Sequence, residues 1–315
     1  MNIRPFQAGD EAAQLQIYNA AAANLTRFKP ATIVDIQRRV QAKDFDPATR
    51  FYAIDNGRPV AYCSYQTNGR IGYPWALPGN ESAADPLFTH TLAVMKERGI
   101  RGAFSAYRQA WPTINDYFSQ RQFTLAREMV NFVMRFEDMP TPTAGSRLNI
   151  EPAKISDASG IFALDPSVFR VASAEGLGET LFKNPHIAPG SIFVLRSRSD
   201  GGVVAAGLFI RDGSFADPLA VDSLMPCFRL GAFGTEGMST KRVRGLFSFV
   251  AKPDKSLHVH GMDMLCHATN LLRDDDENIC YAAQVASDAP VLFAFYQRTF
   301  ERQGGFPVYE RDLTK

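Results

Sequence analysis

Asn2-Ile3-Arg4-Pro5, followed by Asp10, recurs as Asn149-Ile150-Glu151-Pro152 followed by Asp157, a displacement of 147 residues in a chain of 315. A unit repeated at nearly half the chain length predicts two copies of one architecture, so the repeat decides the fold. In each copy a short extended segment ends at a proline, whose missing N–H closes a ladder. The aspartate then precedes an apolar-periodic run, residues 11–24 in the first copy and 158–164 in the second. An aspartate in that place predicts a helix N-cap, its carboxylate taking up N–H groups that the first turn leaves unpaired.

Working outward, the copies continue in parallel. Asp55-Asn56-Gly57 separates two apolar runs at 51–54 and 58–65, and Asp200-Gly201-Gly202 separates 192–196 from 203–210; each is a hairpin signal, because Asn and Gly enter positive φ cheaply. The first copy then predicts a central strand at 71–77 and a helix capped by Asp85, with Pro86 in its first turn. A strand at 100–107, a short helix at 114–122 and a closing strand at 126–136 complete it. The second predicts a strand at 246–251, a helix at 256–273, a strand at 279–286 and a helix at 291–302. The hairpin glycines Gly57 and Gly201 are 144 residues apart, but the prolines after the central strands, Pro78 and Pro253, are 175 apart. About 31 extra residues therefore fall within 211–244 of the second copy, in a glycine-dense, aromatic segment that reads either as a substrate loop or as an extra strand pair. The stretch at 140–146, with Pro140 and Pro142 among small polar residues, reads as a linker. This gives domains 1–139 and 147–315.

Composition narrows the function classes. The formal charge is +1 and charges of both signs are mixed along the chain, so no basic stripe suited to nucleic acid is present. No run approaches the roughly 18 apolar residues of a membrane helix, and the first residues carry no apolar signal core, so a cytoplasmic protein is expected with neither membrane nor nucleic-acid partner. Cys63, Cys227, Cys266 and Cys280 form no C-x-x-C pair and read as small buried residues. The segment around Gly231 lacks the Lys-Ser/Thr ending of a phosphate loop, and no G-x-S-x-G elbow occurs, which argues against nucleotide hydrolysis and an α/β-hydrolase.

The element order strand, helix, hairpin, central strand, helix, strand, helix, strand, present twice, resembles a tandem of the GNAT superfamily of N-acetyltransferases. The resemblance implies an α/β fold of two GNAT-like domains, each a mixed, mostly antiparallel twisted sheet flanked by helices. It implies acetyl-CoA as co-substrate, with a small-molecule amine as acceptor and direct acetyl transfer. In that family the loop after the central strand, commonly R/Q-x-x-G-x-G/A, wraps the pyrophosphate at a helix N-terminus, where glycines admit close backbone approach and the helix dipole favours the charge. In the second copy Phe249-Val250-Ala251-Lys252-Pro253 resembles the strand end, which puts the loop at Ser256, Leu257, His258, Val259, His260 and Gly261. A rival placement uses Arg242-Val243-Arg244-Gly245-Leu246-Phe247. In the first copy Glu81 stands at the Arg/Gln position, where a carboxylate disfavours pyrophosphate. The resemblance thus implies that the second copy is the cofactor site and the first is degenerate.

By the same resemblance Tyr296 donates a proton to the departing thiolate, and Asp288 and Gly304-Gly305-Phe306 complete the closing helix and strand. The first copy has Asn115, Phe118, Gln122 and Phe123 at the corresponding places. An alkylammonium acceptor needs a base, and the strand at 246–251 holds no acid, so Glu236, Asp222, His258 and His260 are the candidates. His260, Asp263 and His267 lie at i, i+3 and i+7 on the outer face of the helix, where solvated side chains are expected rather than a metal site. The alternative reading is a non-catalytic protein that keeps the fold and binds acyl-CoA or another small ligand as a sensor.

Overall fold

The computed structural model describes residues 1–42, 45–139, 149–169, 171–184, 187–210, 243–271 and 280–315. They form two compact units: Met1–Arg127 together with Phe306–Lys315, and Glu128–Gly305. The expected linker at 140–146, and the inserted segment up to residue 242, lie outside the described residues.

The first stretch of chain runs β1 (Asn2–Pro5), α1 (Glu11–Ala22), α2 (Ile33–Val40), β2 (Arg50–Asp55), β3 (Arg58–Ser64), β4 (Trp75–Ala76), α3 (Ala84–Glu97), β5 (Gly102–Ala106), α4 (Pro112–Ser119) and β6 (Thr124–Arg135). Strands β1 to β4 pair in chain order, all antiparallel. Asn56 and Gly57 make the β2–β3 turn with φ of 46° and 76°, the positive values that this pair of residues tolerates. α2 was not foreseen, although its start is written in the sequence: Thr32 and Asp35 form a reciprocal capping box. The core gathers Phe51, Tyr52, Ala61, Leu87, Phe88 and Phe118.

The second stretch runs β7 (Ile150–Pro152), α5 (Ala158–Leu164), α6 (Ala174–Phe182), β8 (Ile192–Arg196), β9 (Val203–Ile210), β10 (Val243–Ala251), α7 (Leu257–Asn270), β11 (Cys280–Ala286), α8 (Pro290–Thr299) and β12 (Glu301–Asp312). From β6 the strand order is β6, β11, β10, β9, β8, β7; β10 and β11 alone among these neighbours run parallel. The two-residue period of β10 sorts its side chains. Phe247, Phe249 and Ala251 join Met264, Leu265, Phe295 and Tyr296 under α7 and α8, while Val250 joins Ile161, Leu164 and Leu177 under α5 and α6. Two long strands divide between the units. β6 passes from one to the other at Arg127/Glu128, and β12 returns at Gly305/Phe306 to pair with β5, Val308 opposite Ala106 and Asp312 opposite Gly102.

Ladder register aligns the two copies. Ala61 lies between Ala53 and Ala76, and Ala205 lies between Leu195 and Ala251. Ala76 and Ala251 are therefore equivalent, and so are Pro78 and Pro253, as the 175-residue offset requires. The rival loop at 242–247 falls, because β10 continues as the partner of β9 through Ala251.

Several expected details differ. Asp10 and Asp157 precede helices but make no side-chain cap bond into them. Each instead accepts an N–H three residues back, Gln7 at 2.8 Å and Lys154 at 2.9 Å, and each binds an arginine. In the first copy Arg4 holds Asp10 with both nitrogens at 2.7 and 2.8 Å. In the second, Glu151 occupies the place of Arg4, and Arg196 from β8 bridges Glu151 and Asp157. The charge has changed strands while the anchoring of the aspartate persists. The first copy's central strand shrinks to β4, because Pro74 offers no N–H and the Tyr73 N–H turns to the Tyr107 hydroxyl at 2.7 Å. Asp85 lies inside α3 and receives the Tyr117 hydroxyl and the Arg121 guanidinium rather than capping. Gly304 and Gly305 lie within β12 rather than opening it. Phe300 follows α8 as Phe123 follows α4, each sending its N–H back to the helix, to Tyr296 and Phe118 respectively.

Candidate functional site

The ladder between β10 and β11 begins at Val243 opposite Cys280 and ends at Leu246 opposite Ala282. Both strands continue. β10 reaches Ala251 held by β9, and β11 reaches Ala286 held by β6. Beyond Leu246 the two parallel strands therefore part, leaving a gap into which backbone groups project without a ladder partner from the opposite strand.

Tyr296 fills the floor of this gap. Its ring is 1% exposed and sits among Phe132, Phe247, Phe249, Phe295 and Phe300, with ring centroids 5.0–6.4 Å away. Burial pushes the phenol far above its ordinary acidity range, opposed by hydrogen bonding from the Phe249 N–H and the Ser248 hydroxyl. The phenol stays protonated at any ordinary pH, fixed by an apolar nest with its oxygen at the strands' parting.

Beside the gap lies a cavity of about 410 Å³ between the first turn of α7 and α8. Leu257, Pro290, Val291, Ala294 and Phe295 give it apolar walls; Lys255 and Arg298 supply positive charge, and His258 and Asp254 complete the lining. The Asp254 carboxylate accepts the Ser256 N–H at 2.8 Å and the Ser256 hydroxyl at 2.5 Å, and these bonds hold it below the usual carboxylate range. It thereby takes up part of the helix N-terminus that an anionic ligand would use.

The sequence-derived candidates distribute unevenly around this geometry. Leu257 and His258 line the cavity, and the His258 ring meets Phe295 at 5.4 Å. Ser256 is turned toward Asp254 and His260, whose Nδ1 is 3.3 Å from its hydroxyl. Val259 is 60% exposed and is not part of the lining. Gly261 is not a loop glycine: it lies inside α7, and a Cβ there would stand 2.6 Å from the Phe249 ring and 2.7 Å from Phe295. Phe249, Val250 and Ala251 end β10 and are buried on alternate faces. Glu236 and Asp222 lie outside the described residues. His267 is not a solvated outer residue; its ring packs against Phe193 at 4.7 Å, and burial lowers its pKa. Among the described residues no group of His, Cys, Asp and Glu is placed to hold a metal, and no helix is long and apolar enough to cross a membrane. Lys255, Arg298 and Val291 were missed because neither spacing nor charge runs mark the rim of a cleft between two separate helices.

The corresponding place in the first unit is built differently. Register makes Pro74 the equivalent of Phe249, and a proline has no N–H to present. The Glu81 carboxylate folds onto its own loop, accepting the Gly79 N–H at 3.0 Å. Phe118, in α4, brings no hydroxyl.

No protein-family model matches the chain, and no curated protein matches it in sequence. Solved structures do match over its length. A GCN5-related N-acetyltransferase from Sphaerobacter thermophilus superposes with a TM-score of 0.62 at 11% identity, over 99% of this chain and 95% of that one. A tandem GNAT protein from the clavulanic acid biosynthesis pathway gives 0.56 at 12% identity, over 99% and 98%. At such identities the likeness speaks to fold: this chain has the tandem GNAT fold, mixed α/β with mostly antiparallel sheets.

Proposed function

We propose that the chain is an acyl-CoA-dependent N-acetyltransferase acting on a small amine, with the second unit, Glu128–Gly305, as the reacting domain and the first as its degenerate copy. The observation that carries this reading is the parting of β10 and β11 with a protonated phenol, Tyr296, at its base and the Phe249 N–H beside it. The residues present suit acetyl-CoA. The cavity walls are apolar where a pantetheine arm would lie, and Lys255 and Arg298 offer positive charge at the rim for phosphates. A bound acyl-CoA supplies an activated thioester carbonyl. Phe249 N–H helps to hold the Tyr296 oxygen at the parting of the strands, a role that Pro74 cannot take in the first unit. Tyr296 donates its proton to the departing sulfur, its burial keeping that proton in place until a thiolate forms. For a strongly basic amine the general base falls to His258 or to Glu236.

A protein that binds acyl-CoA without turnover is the second reading. Asp254, drawn onto the α7 N-terminus, favours it by weakening the seat for phosphate. Calorimetric titration of acetyl-CoA into the wild type and into the Lys255→Glu, Arg298→Glu double variant tests the site. Binding that weakens at least tenfold in the variant supports it. No binding at millimolar acetyl-CoA refutes both readings, and unchanged binding moves the site elsewhere. Product formed on addition of an amine separates enzyme from sensor.

A further inference from the structure

On the face of the second unit's sheet away from α7 and α8, three polar side chains converge where apolar residues would be expected. Ser248 alternates with the buried Phe247 and Phe249, so it points to the other face, and it is exposed in the middle of β10. Parallel register from Leu246 opposite Ala282 brings Ser248 level with Gln284 across the gap. Gln284 likewise alternates with the core residues Ala283 and Val285, and its Nε2 donates to Asn131 Oδ1 at 3.0 Å from the paired position on β6. Asn131 is fully buried. A buried amide is retained in a sheet centre at a desolvation cost, which is offset only when its partner is held in a defined orientation. Here that partner is the carboxamide facing Ser248.

Resting on the reading of the second unit as an acyltransferase, we infer that Ser248 and Gln284 form its acceptor-amine subsite, with Asn131 orienting Gln284, and that Ser248 links the amine to Tyr296 through the gap. Gln284 accepts one amine hydrogen and presents the nitrogen lone pair to the thioester carbon. The nitrogen–carbon bond forms and the carbon–sulfur bond breaks. The proton lost by nitrogen passes to the Ser248 oxygen as the serine proton moves to the Tyr296 oxygen and the tyrosine proton to sulfur. The products are the amide and the free thiol, with both side chains unchanged. Residues 129–134 of β6, 245–251 of β10, and all of β9 and β11 include no charged residue. Such a site discriminates against an ammonium ion and suits an amine that is already unprotonated at neutral pH, an arylamine or a hydrazine.

The test uses the full chain, acetyl-CoA, and 4-methoxyaniline or benzylamine as acceptor, reading released thiol and amide product. The arylamine is expected to react at least tenfold faster, with a rate independent of pH across neutrality. Ser248→Ala should lower kcat about tenfold or more with the acetyl-CoA Kd unchanged, Ser248→Thr should retain most of the rate, and Gln284→Glu should shift preference toward benzylamine about tenfold. Preference for benzylamine in the wild type, no transfer to either amine, or a Ser248→Ala rate equal to wild type overturns this inference while acetyl-CoA binding leaves the acyl-CoA site standing. Failure of acetyl-CoA to bind overturns both.

Discussion

Gly261→Ala separates a packing glycine from a phosphate-loop glycine. In an ordinary helix interior the change stabilises by roughly 1 kcal/mol, because alanine loses less backbone freedom. Here the new methyl would stand 2.6 Å from Phe249 Cζ, 2.7 Å from Phe295 Cε2 and 3.0 Å from Phe249 Cε2. Carbon atoms settle at about 3.5–4.0 Å, so both rings must retreat by about 1 Å. Neither has room, being 4% and 2% exposed within one aromatic cluster. Overpacking of this kind costs about 1–3 kcal/mol, leaving a net destabilisation of about 1 kcal/mol after the helical gain. For a unit of this size that corresponds to a melting temperature lower by about 2–4 °C, measurable by calorimetry. Because Phe295 lines the cavity and Phe249 borders the gap, acetyl-CoA affinity should fall together with stability. A variant that melts higher than the wild type, with affinity unchanged, refutes the placement of Gly261 against these rings.

Arg196→Met should cost about 1–3 kcal/mol, read by denaturant unfolding, since two carboxylates lose a charged donor. Asp157 is pushed up by burial but held below the carboxylate range by the Lys154 N–H and Arg196. Its contribution is therefore present above the unfolded pKa of about 3.9 and lost as pH falls through the folded value; in the variant that loss should begin at higher pH. His267, lowered by burial, is neutral when folded, so stability is full above its unfolded pKa of about 6.5 and declines as pH falls below it. His267→Phe, which keeps a ring against Phe193, should remove that slope from a pH series of melting curves. Tyr296→Phe should leave melting and acetyl-CoA affinity nearly unchanged while lowering kcat by about 10²-fold; an unchanged kcat removes the phenol from the chemistry.

The double start at Asn2 and Asn149, and the Asn-Gly and Gly-Gly turns, were legible because local backbone needs write themselves into short motifs. From them the offsets of 144 and 175 residues followed, and the ladders of Ala61 and Ala205 reproduce both. The aspartates were readable in position but not in bonding, since Arg4 is near Asp10 in sequence whereas Arg196 reaches Asp157 only through the pairing of β7 with β8. β4 was overestimated because apolar content at 71–77 says nothing of where Pro74 breaks the ladder. The reverse holds for α6, whose Gly176 and Gly178 hid a helix that begins at the Ser173 cap. Tyr296 was found by resemblance, but the gap above it arises from two strands that cease to pair, which no single segment encodes. Ser248 and Gln284 were passed over for the same reason: each is an ordinary polar residue in its own strand, and only parallel register makes them neighbours.

The most direct test of the central claim, that the second unit holds acyl-CoA between α7 and α8, is labelling with a photoactivatable acyl-CoA analogue followed by peptide mapping. Label is expected on peptides from Leu257–Asn270 and Pro290–Thr299, protected by excess acetyl-CoA. Protected label on Ala84–Glu97 or Pro112–Ser119, the matching helices of the first unit, would contradict it.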